Sequence, residues 1–187
     1  MTALTMDVPT GAAMHALGER LGAMLRAGDL VLLTGDLGAG KTTLTQGVAA
    51  GLGVRGPVTS PTFVLARVHP PLMTGGVPLV HVDAYRLASW DELEDLDLET
   101  TLDDAVTVVE WGTGLAEGLA DDRLEVRIER PPDAAELTNR PTAPPTSGRV
   151  PLDERNGSEG VRRVAVRGLG RRWATTDLTR LAAVPAG

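Results

Sequence analysis

The chain has 187 residues, 42% hydrophobic and 23% charged, with a formal net charge of −7, which suffices for one α/β domain with its own core. It contains no cysteine, which excludes disulfides, thiolate metal sites and cysteine nucleophiles and suits a reducing cytoplasm. So acidic a protein is a poor general binder of DNA or RNA, and a polar start with no apolar run near ~18 residues argues against a signal peptide and a membrane span.

Residues 4–8 read as a short edge strand stopped by Pro9. Thr10 is placed to cap an amphipathic helix carrying Met14, Leu17, Leu21, Met24 and Leu25 at helical spacing. His15 lies beside that stripe and reads as a boundary residue. Leu30 to Leu33 is an apolar run of the kind that forms a buried strand, and Thr43 to Ala50 is helical in character. Between them stands Gly35-Asp36-Leu37-Gly38-Ala39-Gly40-Lys41-Thr42, a full match to the phosphate-binding loop pattern.

Gly51 and Gly53 mark the end of the following helix. Val64 to Val68 and Pro78 to Asp83 read as two strands of a hairpin joined through His69 to Gly76. Ser89 is placed to cap a short acidic helix from Trp90 to Leu96, with the acidic run continuing to Glu99. Val106 to Trp111 is β-rich, Leu115 to Leu119 reads as a short helix, and Leu124 to Glu129 alternates as a half-exposed strand does. Pro131 to Gly160 is rich in Pro, Thr, Ser and Gly and reads as a flexible hairpin insertion. Strand alternation resumes over Val161 to Arg167, and Trp173 to Leu181 is expected to be a C-terminal helix. The expected architecture is a single three-layer α/β P-loop domain spanning residues 1–187, with a mixed, mostly parallel central sheet. Strand order does not follow from spacing.

The chemistry starts at the loop. Glycines at 35, 38 and 40 allow successive amide N–H groups to point inward. With the positive end of the helix behind them they form an anion site. Lys41, the only lysine of the chain, can reach the β- and γ-phosphates, and the Thr42 hydroxyl can ligate Mg²⁺. Asp36, Leu37, Gly38, Ala39, Gly40 and Thr43 complete the expected cofactor-binding segment. A loop of this kind needs a second carboxylate at the end of a neighbouring buried strand. Glu110 and Asp83 both end apolar runs and both qualify. Glu110 follows the longer β-branched run, so it is the candidate for the metal shell, with Asp83 left to position a water. No Asn-Lys-x-Asp guanine-reading motif follows the loop, which favours ATP over GTP.

The loop, then Ser60-Pro61-Thr62-Phe63, then His81-Val82-Asp83-Ala84-Tyr85-Arg86-Leu87, then Val109-Glu110-Trp111 closely resemble, in this order, the motifs of the TsaE (YjeE) family. The resemblance spans roughly residues 4–130 and resumes at 161–170. It implies a small Mg²⁺-dependent ATPase that supports threonylcarbamoyladenosine formation on tRNA together with the TsaB and TsaD proteins, meeting tRNA only through that complex. It implies that Thr42 and Glu110 hold Mg²⁺, that Asp83, Tyr85 and Thr62 line the active site, that Trp111 lies near the nucleotide, and that Thr10 approaches the adenine. Two readings from other classes stay open: a nucleotide-gated binding module whose hydrolysis is incidental, and a small-molecule kinase.

Overall fold

The computed structural model describes residues 2–61, 64–130 and 160–182. Its frame is one seven-stranded sheet in the order β1-β7-β6-β2-β5-β4-β3. The strands are β1 (Thr2–Val8), β2 (Leu30–Thr34), β3 (Ala66–His69), β4 (Leu79–Asp83), β5 (Val106–Glu110), β6 (Arg123–Glu129) and β7 (Arg162–Leu169). The centre, β6-β2-β5-β4, is parallel throughout. The flanks are antiparallel: β7 pairs with β6, β1 with β7, and β3 with β4. A mixed sheet with a parallel centre is thus the architecture that the sequence pattern implied.

β2 explains why the sheet needs cover on both sides. Leu30, Val31, Leu32 and Leu33 are all fully buried, as in a central parallel strand packed on both faces. Alternation sends Val31 and Leu33 into one core with Met14, Leu17 and Leu44, and Leu30 and Leu32 into a second with Val82, Leu93 and Val109. The first core belongs to α1 (Gly11–Gly22) and α2 (Lys41–Leu52). The second belongs to α3 (Trp90–Glu94) and the turns around it, including Leu98 just before the short α4 (Glu99–Leu102).

α1 and α2 pack unusually closely, because Gly18 and Gly22 of one face Gly47 and Gly51 of the other. A Cβ on Gly47 would meet the His15 carbonyl oxygen and lie 2.8 Å from the Gly18 Cα. At the start of α1 the Thr10 hydroxyl accepts the Ala13 amide at 3.1 Å, the cap expected there. His15 sits over Glu19 one turn on, at 3.3 Å.

Several local expectations need correction. β1 starts at Thr2 rather than at residue 4. β3 starts at Ala66, because Leu65 takes a left-handed backbone (φ 69°) and turns the chain just before the strand. The acidic helix stops at Glu94, and Asp97 with φ 51° separates it from α4. Only a single 3-10 turn, Glu117–Leu119, forms in the region read as helix 115–119. The expected C-terminal helix splits into α5 (Gly170–Ala174) and a 3-10 turn, Leu178–Leu181. Between them the Thr176 hydroxyl donates back to the Arg172 carbonyl and the Asp177 carboxylate accepts the Thr179 amide, so side chains compete with helical bonds. The insertion expected at 131–160 lies outside the described residues except for Gly160; the strands on either side of it, β6 and β7, pair as a hairpin. Among the described residues, no helix is long and apolar enough to cross a membrane.

Candidate active site

Parallel strands bring their C-terminal ends to one edge of the sheet, and ligands gather there in open α/β sheets. β2 ends at Thr34 and the chain enters the glycine loop, whose last residue, Gly40, caps α2. Gly38 (φ 76°) and Gly40 (φ 110°) hold left-handed backbone that a side chain would strain. The loop closes on itself where the Ala39 amide donates to the Asp36 carbonyl at 3.1 Å.

Lys41 opens α2 and is 5% exposed. Its ammonium donates to the Gly35 carbonyl at 2.7 Å and the Asp36 carbonyl at 2.9 Å. It also stands 3.7 Å from the centre of the Trp111 ring, a cation–π contact. Burial pulls the Lys41 pKa below the ordinary lysine value, against the opposing pull of Glu110, Asp83 and Asp36.

The two candidate carboxylates end adjacent strands and are register partners, Asp83 on β4 opposite Glu110 on β5. Both are buried. Glu110 accepts the Thr42 hydroxyl at 3.0 and 3.1 Å on its two oxygens and a bond from His81 Nε2 at 2.8 Å. Asp83 accepts the Ser60 hydroxyl at 2.6 Å and the Tyr85 amide at 3.1 Å. The acids therefore have separate partners although they sit side by side.

Beyond Glu110 the Trp111 amide still donates to the Leu33 carbonyl at 2.9 Å, and Trp111 then takes φ 63°. This turn lays its ring between Lys41 and Tyr85, whose ring centre is 5.2 Å away. A cavity of about 690 Å³ opens over these groups, within the usual range for a small-molecule site. Gly11 and Met14 of α1 line it on one side, with Gly38, Lys41, Thr42 and Thr43 on the floor. Asp83, Tyr85, Glu110 and Trp111 line the sheet side, and Leu37, 90% exposed, lies at the loop tip.

Most residues singled out in the sequence therefore converge. Asp36 and Ala39 shape the loop through its backbone without lining the cavity, and Ala39 is buried. Thr10 is engaged as a helix cap; its neighbour Gly11 is the residue that reaches the cavity. Thr62 lies outside the described residues. Sequence reasoning gave no role of their own to Ser60 and His81 within the motifs that carry them, and it missed Met14 and Arg162 as parts of the site. For His81 a signal existed, since period-two alternation places it on the same face of β4 as Asp83. For Arg162, buried at the start of β7 and lining the cavity, nothing local pointed there.

The donors fit a nucleotide and a hard cation. The loop offers backbone N–H groups and one ammonium to phosphates. Thr42 and Glu110 present oxygens to one spot, the ligand type that Mg²⁺ selects. Among the described residues no group of three or more His, Asp or Glu side chains is gathered as a metal cage. The remaining ligands of a cation here would have to be phosphate oxygens and waters, as is usual for Mg²⁺.

The sequence model of the family described as "Threonylcarbamoyl adenosine biosynthesis protein TsaE" matches residues 8–138. The chain is 54% identical over 170 residues to the tRNA threonylcarbamoyladenosine biosynthesis protein TsaE of Streptomyces coelicolor, covering 90% of this chain and 99% of that protein. Its identity to the protein of the same name from Mycobacterium tuberculosis is 57% over 132 residues, 67% of this chain and 79% of the relative. The crystal structure of Bacillus subtilis YdiB superposes with a TM-score of 0.62 at 26% identity, covering 92% of this chain and 89% of that one.

Proposed function

Because this chain belongs to the TsaE family of threonylcarbamoyl adenosine biosynthesis proteins, we propose that it is a Mg²⁺-dependent ATPase serving threonylcarbamoyladenosine modification of tRNA. The observation that carries the reading is the meeting of Thr42 and Glu110, 3.0 Å apart, over a loop whose lysine is already desolvated. Lys41 would exchange the Gly35 and Asp36 carbonyls for β- and γ-phosphate oxygens, a stronger, charge-assisted pairing. Thr42 and Glu110 would hold Mg²⁺. Bound there, the cation offsets charge on the phosphates.

Asp83 has one oxygen engaged by Ser60 and the other by the Tyr85 amide, so its orientation is fixed from two sides. It is the group to position a water against the terminal phosphate. Gly11 and Met14 are left for the base side of the cavity. TsaB and TsaD are the proposed partners, and tRNA is met through them. A chain of net charge −7 is poorly suited to holding tRNA alone.

Phosphate release from ATP, with Mg²⁺ or with EDTA, alone and with TsaB and TsaD added, tests the reading. Metal-dependent release, with ATP preferred to GTP, is expected. A folded protein that neither binds nor hydrolyses ATP in any of these mixtures overturns it.

A further inference from the structure

β4 places a histidine where a buried parallel strand ordinarily carries an aliphatic residue. His81 is fully buried, between Val80 and Val82 that face the other core. Its Nε2 lies 2.8 Å from Glu110 Oε1. The same carboxylate already accepts the Thr42 hydroxyl on both oxygens. An ionised carboxylate only accepts, so the ring hydrogen sits on Nε2 and points at Glu110. The other ring nitrogen, Nδ1, is buried and meets no hydrogen-bond partner among the described residues.

This pattern separates two roles. A proton relay needs a partner at each end of the imidazole, and among the described residues Nδ1 has none. A clamp needs one good bond and a ring that cannot turn. The ring is fully buried on the face of β4 that also carries Asp83, and β3 and β5 pair along either edge of that strand. Glu110 is thus fixed from two directions, by Thr42 from α2 and by His81 from the adjacent strand.

We propose that His81 is a positioning residue that holds the Glu110 carboxylate in place to receive Mg²⁺ at the nucleotide site. The proposal rests on the assignment of Thr42 and Glu110 to the metal given above. Hydrogen bonds of this kind behind a ligating carboxylate typically change metal affinity by about 10–100-fold when removed. Nucleotide affinity without metal depends on the loop amides and Lys41, which His81 does not touch, and stays as it was.

The test is a binding titration that needs no turnover. A fluorescent ATP analogue is titrated into the protein in EDTA, and then Mg²⁺ is titrated at fixed analogue. His81→Leu removes the donor; His81→Gln returns an N–H donor near the position of Nε2. Expected are a roughly 10-fold or greater rise in the Mg²⁺ midpoint for His81→Leu, near-complete recovery in His81→Gln, and equal affinities in EDTA. If His81→Leu does not fold, His81→Asn serves the same comparison, since its amide nitrogen lies near Nδ1 and falls short of Glu110. An unchanged midpoint in a folded donor-less variant, or an equal loss of affinity in EDTA, overturns the proposal while the nucleotide reading stands. A wild type whose analogue binding ignores Mg²⁺ overturns both.

Discussion

Thr42 and Glu110, 68 residues apart in sequence, are joined by a hydroxyl–carboxylate hydrogen bond of 3.0 Å. One residue lies in the first turn of α2 and the other ends β5, so this bond ties the helix that follows the phosphate loop to the strand beside β2. Glu110→Gln should keep the bond yet lose the charge that a cation needs. Mg²⁺-dependent nucleotide binding should weaken and hydrolysis stop. Asp83→Asn should keep nucleotide bound and mainly lower the rate, by the ~2.7–4 kcal/mol that a lost transition-state contact costs. Titrating Mg²⁺ against both variants separates the roles, and a metal requirement shifted only by Asp83→Asn would mean that they are reversed.

Lys41→Ala should abolish tight nucleotide binding. The ammonium is buried and aimed along the loop, and losing a charge-assisted contact costs about 1.5–3 kcal/mol. By the rule of tenfold per ~1.4 kcal/mol, affinity should drop by ~10–150-fold. Calorimetry on a variant with unchanged circular dichroism gives the answer; undiminished affinity would remove the loop from the site.

Gly47→Ala should destabilise the protein with no change to any side chain in the cavity. The added methyl has nowhere to go between α1 and α2, and overpacking typically costs ~1–3 kcal/mol. Gly11→Ala is the control, since nothing lies within 4 Å of a Cβ there. Urea midpoints for the two variants should differ clearly. Equal midpoints would show that the helices separate freely.

Asp29 supplies a pH test. Burial raises its pKa above 3.8, only partly offset by its bonds from the Arg26 amide and Arg172. A raised folded pKa means that the contribution is fully present below the unfolded pKa and is lost as pH rises through the folded one. The stability advantage of wild type over Asp29→Asn should therefore be larger at about pH 4 than at about pH 7. Denaturant curves at both pH values measure it, and an advantage that grows with pH would mean that the Arg172 pairing outweighs desolvation.

What could be read from the sequence was what is local. The phosphate loop lies within one short segment, so its pattern alone locates Lys41 and Thr42. The strand-end acids were visible because β-branched runs precede them. That Asp83 and Glu110 are register partners was not, since strand order comes from packing between elements far apart in the chain. Arg162 enters the cavity only because β7 pairs with β1 and β6. The C-terminal helix was misread where Thr176 and Asp177 satisfy backbone groups with their own side chains, a competition that helical periodicity does not register. Ser60 stands out only once its carboxylate partner is in place, and the contact of His81 with Glu110 on the next strand follows from the strand order.

Trp111 turns at a positive φ that glycine would take without effort. Such backbone typically costs a side-chain-bearing residue on the order of 1–3 kcal/mol. Replacing it by glycine would relieve the backbone and forfeit the ring that covers Lys41, two effects of opposite sign on melting temperature. A screen for thermal robustness alone could therefore accept Trp111→Gly as near neutral. A screen for nucleotide capture would reject it, so durability leaves residue 111 free to change where readiness for ligand holds it fixed.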